Sequence, residues 1–207
     1  MLTRQRMVDA AFELFAARGF QPTTFSSVAE LAEVSEAFVY FTFHNKAGLL
    51  GAVLDARRGS PGEPNDVEQR DWYGAALVEP DPTRAIELMV IGGSGILERL
   101  APLAEALAAA VRIDPGVAEL HRDNMARKRA AIEALFQPLA ERGALALPAE
   151  RAADVFEVVQ SLETFNGLVR DHGWTPEEFS TWSIGTLTTT LLRARHRPDE
   201  TTKGMGS

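Results

Sequence analysis

Apolar residues recur three and four positions apart along nearly the whole chain, which is the spacing of one face of an α-helix. Side chains that favour helix N-termini precede these runs, namely Thr24, Ser35 and Asn45 early on and Asp-Pro or Thr-Pro pairs later. The pattern predicts helices over residues 2–18, 25–32, 36–43, 46–58, 82–110 (with a bend before Pro102), 115–142, 148–171 and 176–195. No alternating pattern typical of strands competes with them, so we predict an all-α fold.

One segment interrupts the helical pattern. Residues 57–69, with the sequence RRGSPGEPNDVEQ, are rich in glycine, proline and asparagine, which break helices. We therefore predict an N-terminal domain over residues 1–58 and a second helical domain over residues 66–197. In the first domain a longer helix precedes two short ones, and the tight turn AEVS joins the short pair. This is a three-helix, helix-turn-helix layout.

Composition narrows the class of protein. Of the 207 residues, 45% are hydrophobic and 24% are charged, a balance typical of globular proteins. Cysteine is absent, which excludes disulfides, thiolate metal sites and a thiol nucleophile. Acidic residues interrupt the apolar runs at the N-terminus and within residues 85–111, so we predict neither a signal peptide nor a membrane span. The expected location is cytoplasmic.

The distribution of charge matters more than its total. The chain has a formal net charge of −8, which by itself argues against a nucleic-acid partner. Residues 1–58, however, contain six Lys and Arg against six Asp and Glu, so the whole excess of acid lies in the rest of the chain. A neutral N-terminal domain is able to approach DNA phosphates while an acidic second domain stays in solvent.

The stretch VSEAFVYFTFHNKAGLL, residues 34–50, is unusually aromatic. Helical spacing places Val39 and Phe43 on the side that packs against the other helices, together with Val28, Leu31 and Val34. The opposite side carries Glu36, Ala37, Tyr40, Phe41 and His44. In a helix-turn-helix protein the second helix enters the major groove, and its N-terminal turn contacts the bases.

Taken together, residues 3–56 resemble the N-terminal DNA-binding domain of the TetR family of repressors. The tyrosine, phenylalanine and lysine of the family pattern fall on Tyr40, Phe43 and Lys46. The resemblance implies that Tyr40 and Lys46 hold phosphates, that Phe43 is a core residue, and that residues 36–42 form the recognition helix. The expected DNA-binding residues are Thr24, Ser35, Glu36, Ala37, Phe38, Tyr40, Phe41, His44 and Lys46.

Three of these side chains have alternative roles. We expect Ala37 and Phe38 to face bases, but Phe38 either touches a thymine methyl group or packs beneath its helix. Phe41 either contacts a sugar or thymine or seals the junction with the next helix. Glu36 either accepts a hydrogen bond from a cytosine amino group or only stabilises the positive N-terminus of the helix.

Two departures from the family pattern bear on function. Glu33 stands where the family usually has glycine, which predicts a turn that is either slightly strained or differently wound. The small number of cations predicts fewer phosphate contacts than relatives make. An alternative hypothesis is therefore a helical ligand-binding or protein-interaction module whose N-terminal domain no longer binds DNA.

The resemblance implies that the second domain binds a small-molecule effector and forms a homodimer. Residues 176–195 carry apolar side chains on two faces, and a second subunit is able to cover one of them, although a monomer with an ordinary core helix is the alternative. The dimer interface is expected to include Val158, Leu162, Phe165, Phe179, Trp182 and Thr186. Polar and aromatic residues that interrupt apolar faces are the ligand-binding candidates, namely Trp72, Met89, His121, Met125, Gln160, Glu163 and Asn166.

No motif for catalysis or for a bound metal or cofactor is present. The GGSG segment lacks the preceding strand and the following Lys-Ser pair of a phosphate loop, so we interpret it as a close-packing or soft point in a helix. Ser94 lacks the frame of a nucleophile elbow, and the four histidines lack metal-ligand spacing. The leading hypothesis is a TetR-like regulator, a repressor by resemblance, that binds a palindromic double-stranded operator as a dimer and releases it when a mostly apolar small molecule binds.

Overall fold

A computed structural model describes residues 2–59 and 63–193. Most of these residues lie in helices, which confirms the predicted all-α fold; the only β-type pairing among them is a bridge between Leu145 and Leu192. The helices are α1 (Leu2–Arg18), α2 (Phe25–Ala32), α3 (Glu36–Phe43), α4 (Lys46–Arg58), α5 (Asp71–Val78), α6 (Pro82–Leu100), α7 (Ala104–Ile113), α8 (Pro115–Glu141), α9 (Ala149–Val159), α10 (Leu162–Asn166) and α11 (Pro176–Leu191). Short 3-10 turns occupy Val67–Gln69 and Ala101–Leu103, and a π-helical turn occupies Gly167–Asp171.

Side-chain caps start the short helices where the sequence predicts. The Thr24 hydroxyl accepts a hydrogen bond from the Ser27 amide at 3.1 Å, and Ser35 accepts one from the Phe38 amide at 3.2 Å. Asn45 accepts one from the Gly48 amide at 2.7 Å. These bonds satisfy amides that have no partner within the first turn of a helix.

Two of the predicted helices are divided, one of them at the predicted bend before Pro102, and a third is shorter than expected. The helix over 82–110 divides at Pro102, which has no amide hydrogen to donate, into α6, a 3-10 turn and α7. The helix over 148–171 is interrupted at Gln160, because the Ser161 hydroxyl accepts from the Thr164 amide at 3.1 Å and starts a new helix, α10. α11 ends at Leu191, where the chain becomes extended; residues 194 and 195 of the predicted helix lie outside the described residues. α5 was not predicted.

Two groups of helices build the molecule, and we call α1–α4 the head and α5–α11 the body. The core of the head is continuous with part of the body, since Leu103, Ala106, Ala110 and Val117 belong to the same buried cluster as Val8 and Leu50. A second core joins α5, α6, α8, α9 and α11, and a small third one lies between α6, α10 and α11. The head is thus seated on α7 and the start of α8.

Across residues 2–59 and 63–193, no helix is both long and apolar enough to cross a membrane.

Candidate DNA-binding surface and ligand site

The turn between α2 and α3 is tight and strained at one residue. The Val34 amide donates to the Ala29 carbonyl at 2.9 Å, and Glu33 takes the left-handed conformation with φ 52°. Arg6 of α1 braces this turn, donating to the Ala32 carbonyl at 2.6 Å and to the Glu33 carboxylate at 2.9 Å. The strain predicted for a residue other than glycine at this position is confirmed by the φ angle.

The two sides of α3 differ as the sequence predicts. Val39 and Phe43 are buried in the core of the head. Phe38, Tyr40 and Phe41 are exposed, with 41%, 62% and 75% of their surface accessible. Phe38 therefore does not pack beneath its helix, and Phe41 does not seal the junction with α4. Glu36, Ala37 and His44 are exposed beside them.

One residue expected in the packing face lies outside it. Leu31 is 48% exposed, so its assignment to the core is wrong. Its neighbours Val28, Ala29 and Ala32 already fill the buried face of α2, and Leu31 points away from them. The edge of α2 instead supports the exposed side of α3 through Phe25, whose ring meets that of Tyr40 edge-on at 6.0 Å.

A strained connection fixes α3 to α4. His44 has φ 63° and ψ −45°, and the Asn45 amide donates to the Phe43 carbonyl at 2.7 Å, which together define a γ-turn of the rare positive-φ form. Gly48 packs against the same carbonyl, and a Cβ atom there would lie 2.5 Å from the oxygen. Only glycine fits this contact without a backbone shift, so the angle between α3 and α4 is tightly set.

Lys46 is held inside the head. Its ammonium donates to the carbonyls of Gln21 and Thr23 at 3.0 and 2.9 Å and lies 4.5 Å from the centre of the Phe20 ring. Burial lowers the pKa of Lys46, an effect opposed by the nearby carboxylate of Asp114. The side chain that the resemblance assigns to a phosphate thus also ties the loop between α1 and α2 to the start of α4, with one ammonium hydrogen left to donate.

Most other cations of the head are paired. Arg6, Arg57 and Arg58 form ion pairs with Glu33, Asp9 and Asp55. Within the described part of the head, Arg4 and Arg18 form no ion pair; Arg4 lies over the Phe43 ring at 5.4 Å. Thr24 and Ser35, also predicted to contact DNA, are exposed and cap α2 and α3. The surface around α3 is therefore aromatic and nearly neutral.

The body joins the end of α4 through two arginines. Arg99 of α6 donates to the carbonyls of Arg57 and Arg58 at 3.2 and 2.7 Å, and Arg70 donates to the carbonyl of Arg58 at 3.0 Å. Cations at a helix C-terminus are stabilised by the helix dipole. A displacement of α6 would therefore displace the last turn of α4.

The ligand candidates fall into two groups. Trp72 and Gln160 meet α6 at adjacent glycines: a Cβ atom on Gly92 would lie 2.2 Å from Trp72 Cδ2, and one on Gly93 would lie 3.0 Å from Gln160 Oε1. The prediction that these glycines allow close packing is confirmed. Met89 is buried in the same core. The other four vary in exposure, since Met125 and Glu163 lie on the surface and His121 and Asn166 are half-buried.

Two polar residues near Gln160 were missed by the sequence analysis. The Ser94 hydroxyl donates to Gln160 Oε1 at 3.3 Å, and Lys128 Nζ donates to the Gln160 main-chain carbonyl at 3.1 Å. Burial lowers the pKa of Lys128, against the raising effect of Glu157 and Glu163. Within the charged run ARKR, nothing in the sequence distinguishes Lys128 from its solvated neighbours. Its partial burial depends on the break at Gln160, whose main-chain carbonyl it contacts.

Two of the residues predicted for the dimer interface lie inside a single chain. Phe165 and Phe179 are buried and meet edge-on at 5.0 Å, because α10 and α11 close a small core of their own; their assignment to a dimer surface is wrong. Val158 is 67% exposed, whereas Leu162, Trp182 and Thr186 are half-buried. An open cleft of about 540 Å³ beside α11 has Trp174 and Trp182 in its walls.

The head is a helix-turn-helix unit, which is a DNA-binding architecture. Residues 7–53 match the family described as bacterial regulatory proteins, tetR family. The match lies within the head and does not extend into the body.

Known proteins resemble the chain over different lengths. YvkB of Bacillus subtilis, an uncharacterized HTH-type transcriptional regulator, is 37% identical over 71 residues, which are 34% of this chain and 38% of that protein. NalD of Pseudomonas aeruginosa, the secondary repressor of the MexAB-OprM multidrug efflux pump, has the same fold at 23% identity (TM-score 0.69, 93% and 97% of the two chains). The SmeT–triclosan complex does so at 16% identity (TM-score 0.72, all of both chains). The fold therefore extends over the body, while sequence similarity to YvkB is confined to about a third of the chain.

Proposed function

We propose that the protein is a transcriptional regulator that binds operator DNA as a homodimer and releases it when a small molecule binds the body. The observation that carries the proposal is the exposed aromatic side of α3, where Phe38, Tyr40 and Phe41 have no role in the core of the head. Exposed aromatic residues on the second helix of a helix-turn-helix unit suit contacts with bases and sugars. NalD, which shares the fold, is a repressor, so we propose repression.

Each head contributes few phosphate contacts. Arg4, Arg18 and the remaining hydrogen of Lys46 are the cationic donors that the described head leaves available, and Tyr40 adds a neutral hydroxyl. With at most six such cations per dimer, the logarithm of the binding constant should fall with the logarithm of salt concentration with a slope of about −5 or shallower. Specificity then depends on Ala37 and Phe38, which face outward from the first turns of α3.

Coupling between body and head is proposed to follow α6. This helix carries Gly93 and Ser94 beside Gln160 and, one to two turns later, Arg99 on the last carbonyls of α4. Two heads must match successive major grooves about 34–36 Å apart. A ligand that shifts α6 would tilt α4 and α3 away from that spacing, and a bias of about 1–3 kcal/mol is a typical coupling.

The dimer is proposed to form through α11 and the segment from α9 to α10. Gly185 is exposed on α11, and a Cβ atom there would meet nothing within 4 Å of the same chain. Gly185→Glu should therefore leave the monomer fold intact while placing a charge between two subunits. Sedimentation should show a dimer for the wild type and a monomer of 22.6 kDa for Gly185→Glu. A monomeric wild type would contradict this arrangement.

Selection from a pool of random duplexes tests DNA binding without knowledge of the operator. We expect enrichment of a palindrome whose half-sites are separated by one helical turn or a multiple of it. Fluorescence anisotropy on the selected duplex should then show a changed base preference for Phe38→Ala. Tyr40→Phe should weaken binding to all sequences alike, because it removes a phosphate donor and leaves the ring on Phe25.

The alternative is a ligand-binding module whose head no longer binds DNA. The observation in its favour is the pairing of Arg6, Arg57 and Arg58 and the internal use of Lys46. The two functions differ in the selection experiment, because the alternative predicts no enriched sequence from a folded, dimeric protein.

A further inference from the structure

The interior of the body contains a buried hydrogen-bond donor without a partner among the described residues. Gln160 is only 2% exposed, and its Oε1 atom accepts from Ser94. Its Nε2 atom has no hydrogen-bond partner in the part of the chain that the structure describes. A buried donor left unpaired costs about 1–3 kcal/mol, and native proteins retain few of them. An acceptor supplied from outside the chain would remove this cost.

A cation contacts the main chain of the same residue. Lys128 donates to the main-chain carbonyl of Gln160, and within residues 2–59 and 63–193 no carboxylate approaches its ammonium to ion-pair distance. Glu157, the carboxylate that raises the pKa of Lys128 most, is instead paired with Arg129 at 3.0 Å. The ammonium and the amide of Gln160 together offer positive charge and donors without a matching acceptor.

The aromatic side chain of Trp72 packs on α6 beside the position that faces Gln160. The Trp72 indole lies flat against the backbone of α6 at Gly92, and the next residue, Gly93, faces Gln160. Trp72 is half-buried, so its side chain has a way outward. Rotation of the indole toward solvent would open a planar, apolar space beside the donors of Gln160 and Lys128.

We propose that this site binds a planar aromatic monoanion, an aryl carboxylate, whose ring replaces the Trp72 indole and whose carboxylate accepts hydrogen bonds from Gln160 Nε2 and Lys128 Nζ. The inference rests on the proposed function in taking the body as the sensor. Binding itself, however, is measurable without DNA.

Three probes of one shape and different charge test the chemistry. We would titrate the full-length protein with 2-naphthoate, 2-naphthalenemethanol and 2-naphthylmethylammonium by calorimetry. The naphthoate should bind at least about tenfold tighter than the alcohol, and the ammonium compound weakest of the three. Trp72→Ala should tighten naphthoate binding further, because the indole no longer competes for the space.

Variants of the donors decide the assignment. Gln160→Glu should weaken naphthoate at least about tenfold and favour the ammonium probe, because it replaces the amide donor by a carboxylate. Gln137→Glu adds the same charge on the exposed side of α8 and should leave all three affinities unchanged. If Gln160→Glu does not fold, Lys128→Met serves instead and should abolish the preference for naphthoate over the alcohol.

Equal affinities for the three probes, or an unchanged preference in a folded Gln160 or Lys128 variant, would overturn the assignment. Failure of the proposed function looks different. If the protein prefers naphthoate as described but enriches no DNA sequence, the result supports this site and contradicts the regulatory role. If the protein selects an operator but binds the three probes equally, the result supports the regulatory role and contradicts this site.

Discussion

The head and the body differ in how completely their buried polar groups are satisfied. In the head, the buried Thr23 hydroxyl donates to the Gly19 carbonyl at 2.8 Å, and side chains cap α2, α3 and α4. Among the described residues, Arg57 at the end of α4 and Arg70 before α5 each keep one buried side-chain atom without a partner, and four residues of the body do so, namely Gln160, Asn166, Ser183 and Thr188. In the described part of the head before Arg57, no buried side-chain nitrogen or oxygen lacks a hydrogen-bond partner.

This difference matches the two kinds of partner that we propose. Satisfied polar groups and short capped helices give the head one fixed shape, as a groove of fixed dimensions requires. Unsatisfied groups, the break at Gln160 and the π-helical turn at Gly167–Asp171 leave the body easier to rearrange around a ligand. Substitutions in the two regions should therefore differ in their effects on stability.

The largest difference is expected between two glycine substitutions. In Gly48→Ala the new methyl group meets a backbone oxygen at 2.5 Å, so the turn between α3 and α4 must shift; we expect a loss of about 1–3 kcal/mol in the free energy of unfolding. In Gly92→Ala it meets the Trp72 side chain, which is able to rotate away, so the loss should be smaller. Thermal unfolding measures both, with Gly74→Ala as the matched helical control, because Gly74 is exposed in α5 and a Cβ atom there would meet nothing within 4 Å. A smaller loss for Gly48→Ala than for Gly92→Ala would contradict the contrast.

Lys46→Ala should lower the free energy of unfolding by about 1–2 kcal/mol, because two carbonyls of the head are left without a charged donor. Operator binding should weaken for all sequences, and the salt slope should become shallower by about one unit for each phosphate that is no longer neutralised. Lys46→Met keeps the stem of the side chain over Phe20 as a control for packing. An unchanged melting temperature would mean that the two hydrogen bonds contribute nothing to the head.

Glu33→Gly should stabilise the head by about 0.5–1 kcal/mol, because glycine adopts the left-handed conformation without strain. The gain is reduced by the loss of the exposed ion pair with Arg6, which is worth little. Glu33→Gln removes the charge but keeps the strain, so it should be no more stable than the wild type. If both variants lose stability equally, the ion pair outweighs the strain.

The smallest effect concerns acid stability in the body. Hydrogen bonds from Arg129 and Arg151 hold the pKa of Asp154 below its usual range. Because the folded-state pKa is the lower one, this contribution is present above about pH 4 and is lost as the pH falls through the folded-state value. Asp154→Asn should therefore be less stable than the wild type near pH 6, and the difference should shrink as the pH falls below about 4. A difference in stability that does not change with pH would mean that the substitution acts through packing and not through the ionisation of Asp154.

The sequence predicted the head better than the body for a physical reason. The head is specified by local signals, since Thr24, Ser35 and Asn45 each act on an amide three residues away. The break at Gln160, the burial of Phe179 and the cover over Lys128 depend on contacts between distant segments. The phosphate role of Lys46 was inferred from a pattern, which does not reveal that the same ammonium holds Gln21 and Thr23.

Hydrogen exchange on the free protein, followed by mass spectrometry, measures the contrast directly. We predict that amides of α2 and of the buried side of α3 are protected more strongly than those of α10 and the π-helical turn. Addition of 2-naphthoate should slow exchange in α6 around Gly93 and in α10 while leaving α2 unchanged. Equal protection of the two regions in the free protein, or a ligand effect confined to the head, would contradict the account.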